Sequence, residues 1–226
     1  MERWVLLRKG ADFEAIGKKY QISPRLACLI RNRDVIGEEA VDRYLNGTIS
    51  DLYDGMLMKD MDKAIDILKE KILEDKKIRV IGDYDIDGVN ATYILLEGLE
   101  RLGADVDSDI PDRISDGYGL NRHLVERAYE AGVDTLITCD NGIVAADEIA
   151  YGKEMGMTVI VTDHHEVPFD EQDGEKRYRI PPADAVMDPK QPDCLYPFKG
   201  LCGAAVAYKL MEALWGEYGK GFGGSG

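Results

Sequence analysis

Short apolar segments alternate with segments of helical character from Met61 onward. The runs Ile78 to Ile81, Thr135 to Thr138 and Thr158 to Thr162 predict buried strands, and a weaker strand is expected at Asp105 to Ile110. Strands that alternate with helices of about a dozen residues are typical of βαβ units. The sequence therefore predicts an α/β fold, in which a parallel sheet is flanked by helices.

The flanking helices are expected where apolar residues recur at helical spacing or where a glycine ends the segment. They are Asp62 to Leu73, Val89 to Leu102, Asn121 to Ala131, Ala145 to Met155 and Gly203 to Trp215. Residues 163–202, rich in proline and aspartate, are expected to be irregular.

Residues 1–60 predict a small helical N-terminal segment of short helices joined by turns. Ser23 is a suitable N-cap with Pro24 at the first helical position. Residues 61–220 are expected to form the main domain. The ending 221–226, GFGGSG, is expected to be a flexible linker or a remnant of cloning.

Composition limits the class of protein. The 226 residues suffice for one large domain with a small appendage, and 45% hydrophobic with 31% charged residues is ordinary for a soluble globular protein. No apolar run is long enough to span a membrane, and no signal peptide is visible. The net charge of −15 argues against a generic nucleic-acid binder, although acids that hold a metal would be partly neutralised.

The four cysteines show no C-x-x-C spacing and stand in mostly apolar surroundings. They are Cys28, Cys139, Cys194 and Cys202. This pattern predicts reduced thiols in the core of a cytoplasmic protein.

Acids or histidines directly follow three of the predicted strands. They are Asp83, Asp85 and Asp87 after the first, Asp140 after the next, and Asp163, His164 and His165 after the last. Because the carboxyl ends of parallel strands share one edge of the sheet, these side chains are expected to converge.

Two interpretations of each cluster remain open. Three crowded acids repel one another and are usually made tolerable by a divalent cation, but the same acids could form a loop with Asp87 as a helix N-cap. Asp140 could bridge two cations or cap the helix beginning near Ala145. Of the two histidines, one could face a metal and the other a substrate, or both could be solvated. Carboxylate and imidazole ligands favour Mn²⁺ or Mg²⁺, with phosphoester hydrolysis as the natural chemistry.

Three further segments are weaker candidates. Arg113 and Tyr118 suit a loop that approaches a phosphate backbone and stacks on a base, although Tyr118 could equally pack in the core. Asp188 could lie near the metal edge or begin a turn. Lys199 and Gly200 to Gly203 could meet a phosphate at the start of the last helix.

Three motifs carry a resemblance to a known family. DYDIDG at 83–88, TCDNG at 138–142 and DHH at 163–165 resemble the first three motifs of the DHH phosphoesterases. IPDRISDGYGL at 110–120 and AVMDPKQPDCLYPFKGLCGAAVAYKL at 185–210 are similar to one branch, the bacterial exonucleases specific for single-stranded DNA.

The resemblance implies a site with two Mn²⁺ or Mg²⁺ ions. Asp83 or Asp85 with Asp140 would bind one ion, and Asp87, Asp140 and His164 the other. His165 would face the scissile phosphate, and Asp163 would orient a histidine. The resemblance further implies 5′→3′ exonuclease action on single-stranded DNA in repair and recombination, beside partners such as a helicase or a single-strand-binding protein.

The sequence departs from the family pattern at two places. Some members carry a metal-binding histidine at the position of Ile81, which cannot bind a metal. The resemblance implies that Asp83 takes the place of this histidine. The metal-binding aspartate of a fourth motif would lie beyond residue 218, so residues 61–220 are expected to be a truncated catalytic domain with an incomplete site. Other expectations are a DHH-type hydrolase of oligoribonucleotides, cyclic dinucleotides or pyrophosphate, and a non-catalytic fragment that retains the fold.

Overall fold

The computed structural model describes residues 9–112, 117, 119–172 and 174–222. The chain divides into two compact units, Met1–Leu52 and Tyr53–Gly226, so the division falls eight residues before the boundary that the sequence suggests at residue 60. Among the helices that the structure describes, none combines the length and the apolar character needed to cross a membrane.

The first unit consists of short helices, as its sequence predicts. They are α1 (Phe13–Tyr20), α2 (Pro24–Asn32) and α3 (Glu38–Asn46), followed by a 3₁₀ turn at Ile49–Asp51. The Ser23 hydroxyl accepts a hydrogen bond from the Leu26 N–H at 3.2 Å, and Pro24 stands at the first helical position. The side chain thus satisfies a backbone donor that the helix itself leaves unpaired.

The second unit alternates strands and helices after a 3₁₀ turn at Gly55–Leu57. Its elements are α4 (Met61–Leu73), β1 (Ile78–Ile81), α5 (Ile86–Glu100), β2 (Val106–Asp109), α6 (Arg122–Glu130), β3 (Thr135–Cys139), α7 (Ala146–Glu154), β4 (Thr158–Thr162), β5 (Phe169–Gln172), β6 (Glu175–Tyr178), β7 (Ala185–Met187) and α8 (Gly203–Phe222).

Five strands form a parallel sheet in the order β2-β1-β3-β4-β7, which confirms the predicted α/β fold. The four strands expected from the sequence are present, with ends that differ by at most one residue. Alternate strand residues face opposite sides of the sheet, so each side builds its own apolar core. Helices α4, α5 and α8 cover one side, and α6 and α7 cover the other.

The expectation that residues 163–202 are irregular is wrong in two places. β7 extends the parallel sheet by pairing with β4, with Ile160 opposite Ala185 and Thr162 opposite Met187. β5 and β6 form a separate antiparallel hairpin. A three-residue strand between prolines carries too little pattern to be recognised, and it is held by its neighbour in the sheet.

Helix α8 runs to Phe222, beyond the end at Trp215 that the sequence suggests. It therefore includes the first two residues of the segment 221–226 that was expected to be a linker, and residues 223–226 lie outside the described part of the chain.

Candidate metal centre

The polar side chains that follow the strands lie where the strand order reverses. From β1 the chain crosses to β2 on one side and then to β3 on the other, which opens a crevice at the carboxyl ends of β1 and β3. The Asn141 amide links the two strand ends by donating to the carbonyl oxygens of Ile81 (3.1 Å) and Cys139 (2.9 Å). The sheet topology therefore brings the acids after β1 next to Asp140.

Asp85, and not Asp87, is the N-cap of α5. Its Oδ1 accepts hydrogen bonds from the N–H groups of Asp87 (2.8 Å) and Gly88 (2.9 Å), so the helix begins at Ile86 instead of the expected Val89. Gly88 lies within the first turn, where a β-carbon would stand 2.5 Å from the Asp83 carbonyl oxygen. This glycine therefore permits close packing of the first helical turn against the Asp83 backbone.

Asp83 is the most deeply placed acid of the first cluster. The residue is fully buried, and its two carboxylate oxygens have no hydrogen-bond partner in good geometry among the described residues. Burial raises the pKa of Asp83, against a smaller lowering by the nearby N–H groups of Tyr84, Gly119 and Asp85. One ligand oxygen each from Asp83, Asp85 and Asp140 lies within 4.8 Å of the others.

Asp140 has a left-handed backbone conformation, with φ of 60°. Its N–H donates to the Thr162 carbonyl oxygen at 3.0 Å, so the ladder between β3 and β4 holds it in this unfavourable region. Burial, and then the charges of Asp87 and Asp85, raise the pKa of Asp140 to about 7. The carboxyl group is thus placed where its charge is costly unless a cation compensates it.

Asp163 fixes the loop after β4 through four hydrogen bonds. Its Oδ1 accepts from the N–H groups of His164 (2.7 Å) and His165 (3.2 Å) and is paired with His165 Nδ1 (2.7 Å). Its Oδ2 accepts from the Ile143 N–H at 2.9 Å. One buried carboxylate therefore sets both the loop and the orientation of one imidazole.

The two histidines point to different neighbours. His164 Nε2 lies 2.9 Å from Asp140 Oδ1 and 3.5 Å from Asp87 Oδ2. Burial and the charge of His165 lower the pKa of His164, whereas the hydrogen bond to Asp163 raises the pKa of His165. Ring atoms of both histidines lie within 4.8 Å of each other and of an Asp140 oxygen.

Asp87 contacts the start of the last helix, a contact that the sequence does not reveal. Its two oxygens accept from the N–H groups of Gly203 (2.7 Å) and Ala204 (2.8 Å) at the N-terminus of α8. Burial raises the pKa of Asp87. The hydrogen bonds from the two N–H groups and the Cys202 thiol together lower it by more, so the pKa of Asp87 lies below its usual value. A carboxylate at a helix N-terminus is favoured by the helix dipole as well.

Cys202 contradicts the expectation that all four cysteines are core thiols. It is exposed and donates to Asp87, whereas Cys139 and Cys194 are buried and Cys28 is half-buried. The cysteine precedes α8, whose first N–H groups approach Asp87, and this tertiary contact places the thiol at the centre.

The donors present fit a divalent cation of the Mn²⁺ or Mg²⁺ type. Oxygen and imidazole ligands suit these ions, and no thiolate pair is present to favour structural zinc among the described residues. The buried Asp83 oxygens and the raised pKa of Asp140 are both features that a bound cation would relieve. Asp140 belongs to both ligand groups.

The remaining residues singled out in the sequence have different outcomes. Arg113 and Tyr118 lie outside the described residues. Lys199 donates to the Cys194 carbonyl oxygen at 2.6 Å, which gives it a structural bond. Ile81 is fully buried in an apolar core and offers no ligand.

Asp188 follows β7 and is fully buried at the same edge of the sheet. Burial raises its pKa to about 7, and its Oδ2 has no hydrogen-bond partner among the described residues. Asp188 therefore lies at the edge of the sheet that carries the other acids, as one interpretation of the sequence expects. It also begins a turn, as the other expects, because its Oδ1 accepts from the Lys190 N–H at 2.7 Å.

Adding a methyl group at Gly203 is expected to damage the centre. A β-carbon there would stand 2.6 Å from Asp140 Oδ1, so Gly203→Ala must displace this carboxylate. We expect Mn²⁺ affinity, measured by calorimetric titration, to fall by about 10-fold or more. Gly216→Ala in the same helix is the control, since nothing lies within 4 Å of its added carbon. It should leave affinity unchanged and raise stability by about 1 kcal/mol. Equal affinity for both variants would contradict the tight packing of Gly203 on Asp140.

Known proteins resemble this chain in sequence and in fold. The model of the "DHH family, N-terminal domain" matches residues 77–222. The single-stranded-DNA-specific exonuclease RecJ of Bacillus subtilis (strain 168) is 40% identical over 216 residues, which are 95% of this chain and 26% of that protein. This chain thus spans about a quarter of the length of that relative.

Two solved structures are also similar. The crystal structure of exonuclease RecJ bound to manganese has 38% identity and a TM-score of 0.61, over 72% of this chain and 39% of that one. RecJ of Thermus thermophilus in complex with Mn²⁺ has 31% identity and a TM-score of 0.65, over 96% of this chain and 29% of that one. With the family model matching well over half of its residues, this chain belongs to the DHH family.

Proposed function

We propose that this chain contains the catalytic part of a Mn²⁺- or Mg²⁺-dependent exonuclease that removes nucleotides from the 5′ end of single-stranded DNA. One observation carries the proposal, namely that two groups of potential metal ligands share Asp140 at the switch point of the sheet. The names of the similar proteins supply the substrate class. Residues 61–220 are the proposed catalytic domain.

We assign two cation positions to the centre. Asp83, Asp85 and Asp140 are proposed to hold one ion, and Asp87, Asp140 and His164 the other. The 2.9 Å contact between His164 and Asp140 supports the second assignment. Cations held by these residues would supply Lewis-acid polarisation of a phosphate and a more acidic water.

His165 is proposed to contact the scissile phosphate. Asp163 fixes its ring through Nδ1 and raises its pKa, so the imidazole is held in one orientation and retains a proton more readily. A protonated imidazole can donate to a phosphate oxygen and stabilise charge that develops there. Asp163 serves as the residue that positions His165 and the loop.

The substrate strand is proposed to reach Arg113 for backbone contact and Tyr118 for base stacking. DNA repair and recombination are the proposed processes, in the cytoplasm, with a helicase or a single-strand-binding protein as the proposed type of partner. The net charge of −15 opposes the approach of a phosphate backbone, and cations held at the centre would offset part of this repulsion.

A nuclease assay tests the proposal. Oligothymidylate labelled at either end is incubated with the chain and Mn²⁺, as a single strand and as a duplex with oligodeoxyadenylate. We expect mononucleotides from the 5′ end of the single strand alone, and a rate at least about 100-fold lower for Asp140→Ala, because this change removes the acid shared by both ligand groups.

Three results would contradict the proposal. These are equal hydrolysis of the duplex, no difference between the wild-type chain and Asp140→Ala, and hydrolysis confined to oligoribonucleotides, cyclic dinucleotides or pyrophosphate. Absence of hydrolysis together with unchanged Mn²⁺ binding in Asp140→Ala would identify a non-catalytic fragment.

A further inference from the structure

Lys190 reaches the histidine loop from the neighbouring strand end. Its backbone is held by the Asp188 turn that ends β7, through the 2.7 Å bond from the Lys190 N–H to Asp188 Oδ1. Its ammonium group lies 3.0 Å from Glu166, the residue directly after His165. The side chain therefore extends along the loop that carries the two histidines.

The ion pair with Glu166 is a weak restraint on this lysine. The Glu166 side chain is 87% exposed, whereas that of Lys190 is 26% exposed. Exposed pairs of this kind contribute little to stability, because water solvates the separated charges nearly as well. A phosphate arriving at the loop could replace Glu166 as the partner of Lys190.

The charge of Lys190 acts on the centre itself. It lowers the pKa of both histidines and of Asp188, although burial has the larger effect on His164 and Asp188 and the Asp163 hydrogen bond on His165. Asp87, Asp140 and Asp163 give the same region negative charge. These acids repel an anionic substrate, and the positive charge of Lys190 beside them offsets part of that repulsion.

We propose that Lys190 binds a phosphate of the substrate beside His165, and that Glu166 holds the lysine in place until the phosphate replaces it. This assignment rests on the proposed phosphodiester hydrolysis and adds a residue that contacts the substrate. The ligand is a phosphodiester oxygen, either of the scissile phosphate or of its neighbour in the strand.

The two members of the pair should respond in opposite directions. For Mn²⁺-dependent hydrolysis of oligothymidylate, Lys190→Gln is expected to raise KM about 10-fold, the value of a charge-assisted hydrogen bond. Glu166→Gln is expected to lower KM by up to about 5-fold, because the competing carboxylate is gone. Lys190→Arg should restore most of the affinity. A purely structural pair would give the same sign for both changes; because arginine can also pair with Glu166, the opposite signs are the deciding result.

Lys76 provides the matched control. It also forms a loose ion pair, 4.0 Å from Glu74, but it precedes β1 at the amino end of the sheet, which is the edge opposite to the centre. Lys76→Gln should leave KM unchanged. Thermal melting of each variant verifies that the fold is retained.

Salt dependence and a smaller substrate complete the test. The slope of log KM against log salt should fall by about 0.7 in Lys190→Gln, the contribution of one phosphate contact on a single strand. Bis(4-nitrophenyl) phosphate contains a single phosphate. If Lys190→Gln also raises KM for this substrate, Lys190 contacts the scissile phosphate; if it does not, Lys190 contacts the neighbouring phosphate of the strand. Wild-type hydrolysis with unchanged KM and slope in Lys190→Gln overturns the assignment. No hydrolysis by the wild type overturns the proposed function as well.

Discussion

Replacing Asp140 by asparagine is expected to stabilise the metal-free protein while it weakens Mn²⁺ binding and hydrolysis by at least about 100-fold. Asparagine tolerates the left-handed backbone at φ of 60° and removes a charge that burial and neighbouring acids disfavour. A pKa raised to about 7 corresponds to at most about 4 kcal/mol, and we expect a gain of about 1–3 kcal/mol in the free energy of unfolding.

The sign of the pH dependence identifies the cause. Because the pKa of Asp140 is about 7 in the folded state and 3.8 as the ordinary value, the folded protein binds more protons between these limits. Its contribution to stability is therefore present below the ordinary pKa of 3.8 and is lost as the pH rises to the folded-state pKa of about 7, above which the loss levels off. Asp140→Asn should remove this loss.

Urea unfolding in EDTA between pH 5.5 and 8 measures the effect. This range avoids the pI of about 4.6, near which the protein is expected to associate. The stability gain of the variant should grow from pH 5.5 to about pH 7 and then level off. Asp109→Asn is the control, because Asp109 ends β2 and is paired with Arg127 at 2.6 Å. That change should lower stability slightly at every pH. An Asp140→Asn protein less stable than the wild type at pH 8 would contradict the inferred charge crowding.

Asp163→Ala is expected to be the most destabilising change at the centre, costing about 3–5 kcal/mol. The substitution leaves the N–H groups of Ile143, His164 and His165 without the carboxylate that accepts from them. An unpaired buried donor loses its hydration without compensation. Because folded domains have only about 5–15 kcal/mol in total, thermal melting should show a large decrease in Tm.

Asp188→Asn provides a matched comparison at the end of the adjacent strand. Asp188 is equally buried, but its pKa is about 7, and only its Oδ1 accepts a described hydrogen bond, from the Lys190 N–H. Asparagine retains that acceptor without a charge, so stability should stay within about 1 kcal/mol of the wild type or rise. Similar losses for the two variants would show that burial alone, and not the hydrogen bonds of Asp163, determines the cost.

The parallel sheet could be predicted because its strong strands are local patterns. The runs that became β1, β3 and β4 are apolar and are bounded by polar residues, and the sheet buries them on both sides. β7 escaped recognition because three residues carry little pattern, and its pairing with β4 stabilises it. The hairpin of β5 and β6 was missed as well, in a segment whose strand residues are all exposed.

Within the site, the sequence predicted which residues lie near one another better than it predicted the role of each residue. The convergence of Asp83, Asp140 and His164 follows from strand ends that share one edge. The identity of the acid that caps α5 does not follow, because Asp85 and Asp87 are both suitable caps in sequence, and the structure is needed to show that Asp85 accepts from the first N–H groups.

The sequence by itself determined the parallel α/β fold, the family and the strand ends at which the acids and histidines stand, because all of these are written in short contiguous patterns. The tertiary structure alone decided the contacts of Asp87 with α8, the approach of Gly203 to Asp140, and the reach of Lys190 to Glu166. The first two join residues more than sixty positions apart, and Lys190 meets Glu166 only because β7 pairs with β4. Such contacts depend on how the elements pack, so no local pattern in the chain encodes them.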